Sequence, residues 1–226
     1  MNTPPLFPMF LKLDGRPCLV VGAGSIGEPK IRSLVDCGAQ VRVVAPSASG
    51  AVTDAANRGT LAWSQRTFEQ SDLDGVFLVV AATSAVEVNH AIYRAAKERG
   101  ILCNVVDDPL HCDFFYPAVV RRGHFQIAIS TNGLSPALAQ RVRKQFEEEF
   151  PPVYGTWLEE LGKKRAALFQ SGCEPELRRT LLHHSVTPEA FAEFEHDQTN
   201  GGTGASPVQP GDGAPLSIHA TGKDLL

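Results

Sequence analysis

No apolar stretch in this chain approaches the length of a membrane helix. The longest, residues 76–82, has seven members, against the roughly 20 that a bilayer requires. No basic segment followed by an apolar one opens the sequence either, so a soluble, unexported, cytoplasmic protein is expected. A surplus of positive charge is missing too. The 21 Lys and Arg face 25 Asp and Glu, a formal charge of -4, which argues against binding polyanions through bulk charge. The cysteines Cys18, Cys37, Cys103, Cys112 and Cys173 show no CxxC spacing and are odd in number. They read as thiols of a reducing compartment, most of them structural, with a metal or redox role for Cys103 and Cys112 as the alternative.

What is present is enough apolar material, 43% of 226 residues, for one large domain plus attachments. Glycine and proline are plentiful, at 20 and 16, and nine of them fall after residue 200. Residues 199–226 are accordingly expected to be a disordered tail.

Before that tail the pattern alternates. Short β-rich runs at 18–21, 41–45, 61–64, 76–81 and 101–106 are interleaved with helical periodicity at 26–37, 48–58 and 85–99. This predicts a doubly wound parallel sheet of Rossmann type over residues 1–112. From residue 113 to 150 the rhythm changes to a hairpin, with strands at 116–121 and 125–130, and a helix at 135–150 opened by Pro136. A segment so small is expected to pack against a partner chain. Residues 151–198 read as three helices, at 153–169, 174–184 and 187–196, with Thr187 as a cap before Pro188.

Gly22-Ala23-Gly24-Ser25-Ile26-Gly27 follows the first strand and opens the first helix, the context in which a GxGxxG pattern reads as a dinucleotide phosphate loop. Gly22 is expected to make the tight turn, Gly24 to admit the pyrophosphate and Gly27 to let the helix approach the sheet, with the Ser25 and Ile26 N–H groups facing the anion. A glycine turn without ligand is the competing interpretation. The acid that would bind an adenine ribose is missing at the end of the second strand, where Pro46 and Ser47 stand instead, so preference between NAD and NADP is not readable.

Three further segments, Ala81-Ala82-Thr83, Cys103-Asn104-Val105-Val106-Asp107 and the run 128–136 through Ser130-Thr131-Asn132 to Ser135-Pro136, complete a pattern. In combination with the glycine loop they make the chain resemble the precorrin-2 dehydrogenase and sirohydrochlorin ferrochelatase family of siroheme synthesis over residues 10–169. The resemblance implies oxidation of precorrin-2 to sirohydrochlorin with NAD as hydride acceptor, and in some members insertion of ferrous iron. It assigns the functional aspartate to Asp107 and cofactor contacts to Ser25, Ile26, Pro46 and Ser47, with Ala82, Thr83 and Val105 beside them. A serine of the family's tetrapyrrole site corresponds to Thr131, flanked by Ser130 and Asn132. The resemblance also implies a homodimer formed through 113–150. Two departures are Ala23, where many relatives carry a third consecutive glycine, and Pro29 before Lys30.

A carboxylate at the end of a buried strand beside the nicotinamide could accept a proton as hydride leaves, or deprotonate pyrrole nitrogens as a metal enters. Asp107-Asp108-Pro109 could equally be only a turn. A polycarboxylate substrate calls for cations, and Arg121 and Arg141 are the candidates from a basic cluster that also holds Arg122, Arg143 and Lys144. His90 and His111 are candidate proton carriers or transient iron ligands, but the lack of HxxxH spacing argues against a permanent metal site. A non-catalytic sensor or delivery protein for nucleotide or tetrapyrrole is the alternative function.

Overall fold

In a computed structural model that describes residues 4–200, the alternating pattern resolves into a parallel sheet. Its strands are β1 (Pro17–Ala23), β2 (Gln40–Ala48), β3 (Ala62–Ser64), β4 (Leu78–Ala81) and β5 (Leu102–Val105), in the spatial order β3-β2-β1-β4-β5. The helices α1 (Gly27–Asp36), α2 (Gly50–Asn57) and α3 (Val86–Glu98) make the crossovers. The doubly wound fold expected from the sequence is therefore present.

Alternation along β1 explains both faces. Cys18 and Val20 point into one cluster with Ile31 and Leu34 of α1 and Val52 of α2. Leu19 and Val21 point into the other, with Ile92, Ala95 and Ala96 of α3 and Leu73. A strand covered on both sides must be apolar throughout, which is why β4 reads Leu-Val-Val-Ala and is buried at every position. The strand order reverses between β1 and β4, and in sheets of this kind ligands bind beyond the carboxyl ends at that reversal.

The loop between β1 and α1 sits there and is sterically tight. Gly22 adopts φ +101°, and a Cβ on it would lie 2.3 Å from the Ala82 carbonyl oxygen. A Cβ on Gly27 would lie 2.2 Å from the Gly22 carbonyl oxygen. The helix can start where it does only because both positions lack side chains.

Some boundaries differ from the sequence reading. β2 continues through Pro46, Ser47 and Ala48, because a register shift in β1 between Val21 and Ala23 re-pairs Ala23 with Ala48. Ala48 is thus strand, and Ser49 caps α2 by accepting from the Val52 N–H at 3.4 Å.

After β5 come a short 3-10 turn (Pro109–His111), the hairpin strands β6 (Ala118–Arg122) and β7 (Phe125–Ile129), and α4 (Pro136–Glu149). The strand expected from residue 116 begins at Ala118, and Gly123, at φ +57°, forms the turn with His124. Then follow α5 (Val153–Gln170), α6 (Pro175–His184) and α7 (Pro188–Asn200). Thr187 does cap the last, accepting from the Ala190 N–H at 3.3 Å. The expected tail begins too early at 199, since Thr199 and Asn200 belong to α7, and its remainder, 201–226, lies outside the described residues.

Two compact units emerge, one of residues up to 120 with 126–149, the other of 121–125 with the residues from 150 onward. Residues 113–150 thus do not form a compact unit of their own. The second unit is held by stacked rings of Phe125, Phe150, Tyr154, Trp157 and Phe191, with centroids 4.5–5.6 Å apart.

Gly27→Ala is expected to lower stability by ~1–3 kcal/mol, as overpacking against rigid backbone does. A urea unfolding midpoint equal to that of the parent would contradict this close packing.

Candidate active site

The site is built on the carboxyl edge of the sheet. Val21 of β1, Ala81 of β4 and Val105 of β5 lie side by side in register, so Gly22, Ala82 and Val106 form the next row. Ser25 and Ile26 are exposed at the tip of the glycine loop, and Gly24 has open space where a Cβ would stand. Helix α1 has no side-chain cap at Ile26; the Glu28 N–H bonds to the Gly24 carbonyl at 2.9 Å and Pro29 has no N–H, so the donors at its start are the Ser25, Ile26 and Gly27 N–H groups. The loop therefore offers backbone donors and a helix N-terminus to an anion. Pro46 and Ser47 are exposed at the same edge, although as part of β2 rather than of a loop after it.

Thr83 is engaged differently from what its motif suggests. Its hydroxyl donates to Asn89 Oδ1 at 2.7 Å, Asn89 Nδ2 returns a bond to the Thr83 carbonyl at 2.9 Å, and the Ala85 N–H donates to Thr83 Oγ1 at 3.2 Å. Asn89 is buried on α3. Its amide fixes the turn between β4 and α3 in place of an ordinary N-cap, which Ala85 cannot supply. No sequence signal distinguished this asparagine from a surface residue of an amphipathic helix.

Beyond β5 the chain doubles back under tight control. The Asp113 carboxylate accepts from the Cys103 N–H at 3.0 Å, and Asn104 Nδ2 donates to the Phe114 carbonyl at 2.8 Å. The Cys112 thiol points at the carbonyls of Val105 and Asp108, 3.1 and 3.2 Å away. Burial pushes the Cys103 thiol up to about 12, which suits a structural thiol and not a nucleophile or metal ligand.

Asp107 sits at the head of this turn with φ +61°, a left-handed conformation that Asp tolerates better than most residues. Its carboxylate is exposed and makes no hydrogen bond or ion pair with any described residue. Asp108 is the opposite. Its Oδ2 accepts from His90 Nε2 at 2.8 Å and from His111 Nδ1 at 2.7 Å, and these bonds hold its carboxyl below the usual range.

A cavity of about 480 Å³ opens in front of Asp107. Val105, Asp107 and Asp108 line it from β5 and its turn, Phe115 and Tyr116 from the following segment, and Ser130 and Thr131 from the loop before α4. The Ser130 and Thr131 hydroxyls accept from the N–H groups of Asn132 and Ser135, so they shape this loop as well as face the cavity. Asn132, at φ +54°, borders a second, shallower depression instead.

Neither Arg121 nor Arg141 lines the cavity, and Arg143 is paired with Glu147. Among the described lining residues the cation is Lys30, on α1. Its ammonium lies 3.9 Å from the centre of the Tyr116 ring, and burial lowers its pKa although the nearby Asp107 charge works in the other direction. The sequence held a hint of Lys30 in its place one turn into the phosphate-loop helix.

Family models match two stretches of the chain: one described as "Putative NAD(P)-binding" over residues 9–118, another as "Sirohaem biosynthesis protein central" over 122–149. The chain belongs to the siroheme synthase and precorrin-2 dehydrogenase family. It is 40% identical over 172 residues to a siroheme synthase of Methylococcus capsulatus, a match covering 76% of this chain and 36% of that protein. A siroheme synthase of Photorhabdus laumondii is 38% identical over 173 residues, or 76% and 37% of the two chains. The chain thus spans little more than a third of the length of these curated relatives. Among solved structures, SirC, a precorrin-2 dehydrogenase, superposes with a TM-score of 0.72 at 26% identity, covering 86% of this chain and all of SirC.

Removing the buried amide leaves the Thr83 N–H and carbonyl without their partner, so Asn89→Ala is expected to cost ~1–3 kcal/mol. Urea unfolding measures that loss, and a change within error would mean that water replaces the amide.

Proposed function

We propose that this chain oxidises precorrin-2 to sirohydrochlorin, with NAD as the hydride acceptor, as a step of siroheme biosynthesis. The observation that carries the reading is Asp107, an unpaired carboxylate held in a left-handed turn at the reversal edge of a dinucleotide-binding sheet, facing a cavity. The family membership and the SirC superposition support the same assignment.

The glycine loop fits a dinucleotide. The Gly22, Ser25, Ile26 and Gly27 backbone, with open space above Gly24, would hold the pyrophosphate. Pro46 and Ser47 would border the adenosine, and Ala82, Thr83 and Val105 the nicotinamide side. When bound, NAD supplies the hydride acceptor. Oxidation removes a hydride and a proton from the macrocycle, and a carboxylate oxygen of Asp107 takes the proton. Ser130, Thr131 and the Lys30 ammonium would orient the substrate, the last by pairing with one of its carboxylates. Phe115 and Tyr116 line the cavity, so a macrocycle there would meet aromatic surface.

Insertion of ferrous iron into the product is a second reaction the same carboxylate could serve, since it too requires loss of protons from ring nitrogens. We place the enzyme in the cytoplasm as a homodimer formed through residues 113–150. In support of the dimer, α4 buries Ala139 while Leu138 stays exposed.

Purified protein mixed with precorrin-2 and NAD is expected to form NADH in stoichiometric amount, read by its near-ultraviolet absorbance; folded protein that binds NAD and forms no NADH would instead favour a non-catalytic sensor. Asp107→Asn keeps a residue suited to the left-handed backbone and removes the charge. It is expected to bind NAD normally and lose about 100-fold or more in turnover. Lys30→Met is expected to raise KM for precorrin-2 roughly tenfold, the loss of one charge-assisted pair, with NAD affinity little changed. An unaltered KM would remove Lys30 from the substrate site.

A further inference from the structure

His90 and His111 are distant in sequence, and neither belongs to a recognisable metal motif. The fold nonetheless brings both onto one oxygen. His90 projects from α3 and His111 from the 3-10 turn, and the ligating atoms of His90, Asp108 and His111 all lie within 4.8 Å of one another. The two imidazole rings are 4.3 Å apart at 32°, and Tyr93 packs edge-on against His111 at 4.8 Å. All three side chains keep about a third of their surface or somewhat less in contact with solvent, at 32%, 27% and 32% for His90, Asp108 and His111.

Two imidazole nitrogens and a carboxylate converging from two elements is the donor set that suits a divalent first-row transition metal, and it leaves coordination positions for solvent or for an incoming ligand. Hard cations such as magnesium and calcium prefer oxygen alone. Asp108 also lines the cavity that Asp107 faces, so a cation held here would stand at its edge.

We infer that His90, Asp108 and His111 form a loading site for a divalent transition metal, ferrous iron or a close relative, from which the metal passes to the tetrapyrrole in the adjoining cavity. The delivery role rests on the function proposed above, whereas the metal site itself does not. A hydrated cation must shed water before it enters a macrocycle, and exchanging part of its shell for two imidazoles and a carboxylate does so in stages. In the transfer, the bonds from metal to the three side chains break and bonds to four ring nitrogens form. Two of those nitrogens release protons, which Asp107 and solvent accept, and the metal keeps its oxidation state.

Cobalt(II) is the probe, because its visible absorbance reports coordination. The full chain titrated with Co2+ is expected to saturate at one equivalent, with a new visible band. His90→Gln, Asp108→Asn and His111→Gln should each weaken binding at least tenfold while retaining the parent's circular dichroism and NAD affinity. If any of the three folded variants binds Co2+ as tightly as the parent, or if the parent does not saturate, the site is overturned. Insertion of Co2+ into sirohydrochlorin tests delivery: His90→Gln should raise the metal concentration for half-maximal rate at least fivefold and leave the maximal rate nearly unchanged. An unchanged half-maximal concentration overturns the delivery role. Formation of NADH from precorrin-2 in the same preparations separates the two ideas. Protein that binds Co2+ through these residues yet forms no NADH keeps the site and loses the dehydrogenase reading, and the converse result keeps the reading and loses the site.

Discussion

Everything at the carboxyl edge of this sheet depends on one close approach. Helix α1 begins so near to β1 and β4 that the Gly22 carbonyl oxygen occupies the space of a side chain at residue 27, and the Ala82 carbonyl oxygen that of one at residue 22. Because the helix starts there, its N-terminus faces the strand reversal, and Lys30, one turn on, reaches the cavity beyond β5. The glycine loop and the cavity thus share a single helix. A shift of α1 away from the sheet would displace both.

On the other side of the cavity, positioning relies on hydrogen bonds instead of close packing. The turn after β5 is fixed by Asp113, Asn104 and the Cys112 thiol, each bonded to backbone. These anchors let two adjacent carboxylates take different surroundings, Asp107 unpaired and Asp108 shared by two histidines. Charge and environment are separated within one residue's length, a division that sequence adjacency alone would not suggest.

The sheet was legible because burial on both faces leaves a plain apolar signature, as in residues 78–81, and the glycine loop because steric exclusion bars a side chain at residues 22 and 27. Asp107 was found through its motif. What stayed hidden were interactions between elements distant in sequence. Asn89 looks like one more polar position of an amphipathic helix until Thr83 folds onto it. The pairing of His90 with His111 requires α3 and the 3-10 turn to meet, and short-range spacing carries no trace of that. The arginines of the hairpin and α4 drew attention by their number, yet number does not report direction. The lone Lys30 faces the cavity and they do not. Similarly, the continuation of β2 through Pro46 depends on a register shift in its neighbour β1, which no feature of β2 itself announces.

The left-handed backbone at residue 107 narrows what can occupy that position. The proton transfer proposed above asks there for an anionic side chain, and both Asp and Glu would answer. The conformation at φ +61° favours short side chains that can bond to their own backbone, a group that includes Asp, Asn and Gly and leaves Glu outside. The acid is therefore selected twice, once for its charge and once for its length, so the turn itself sets how far the carboxylate extends into the cavity.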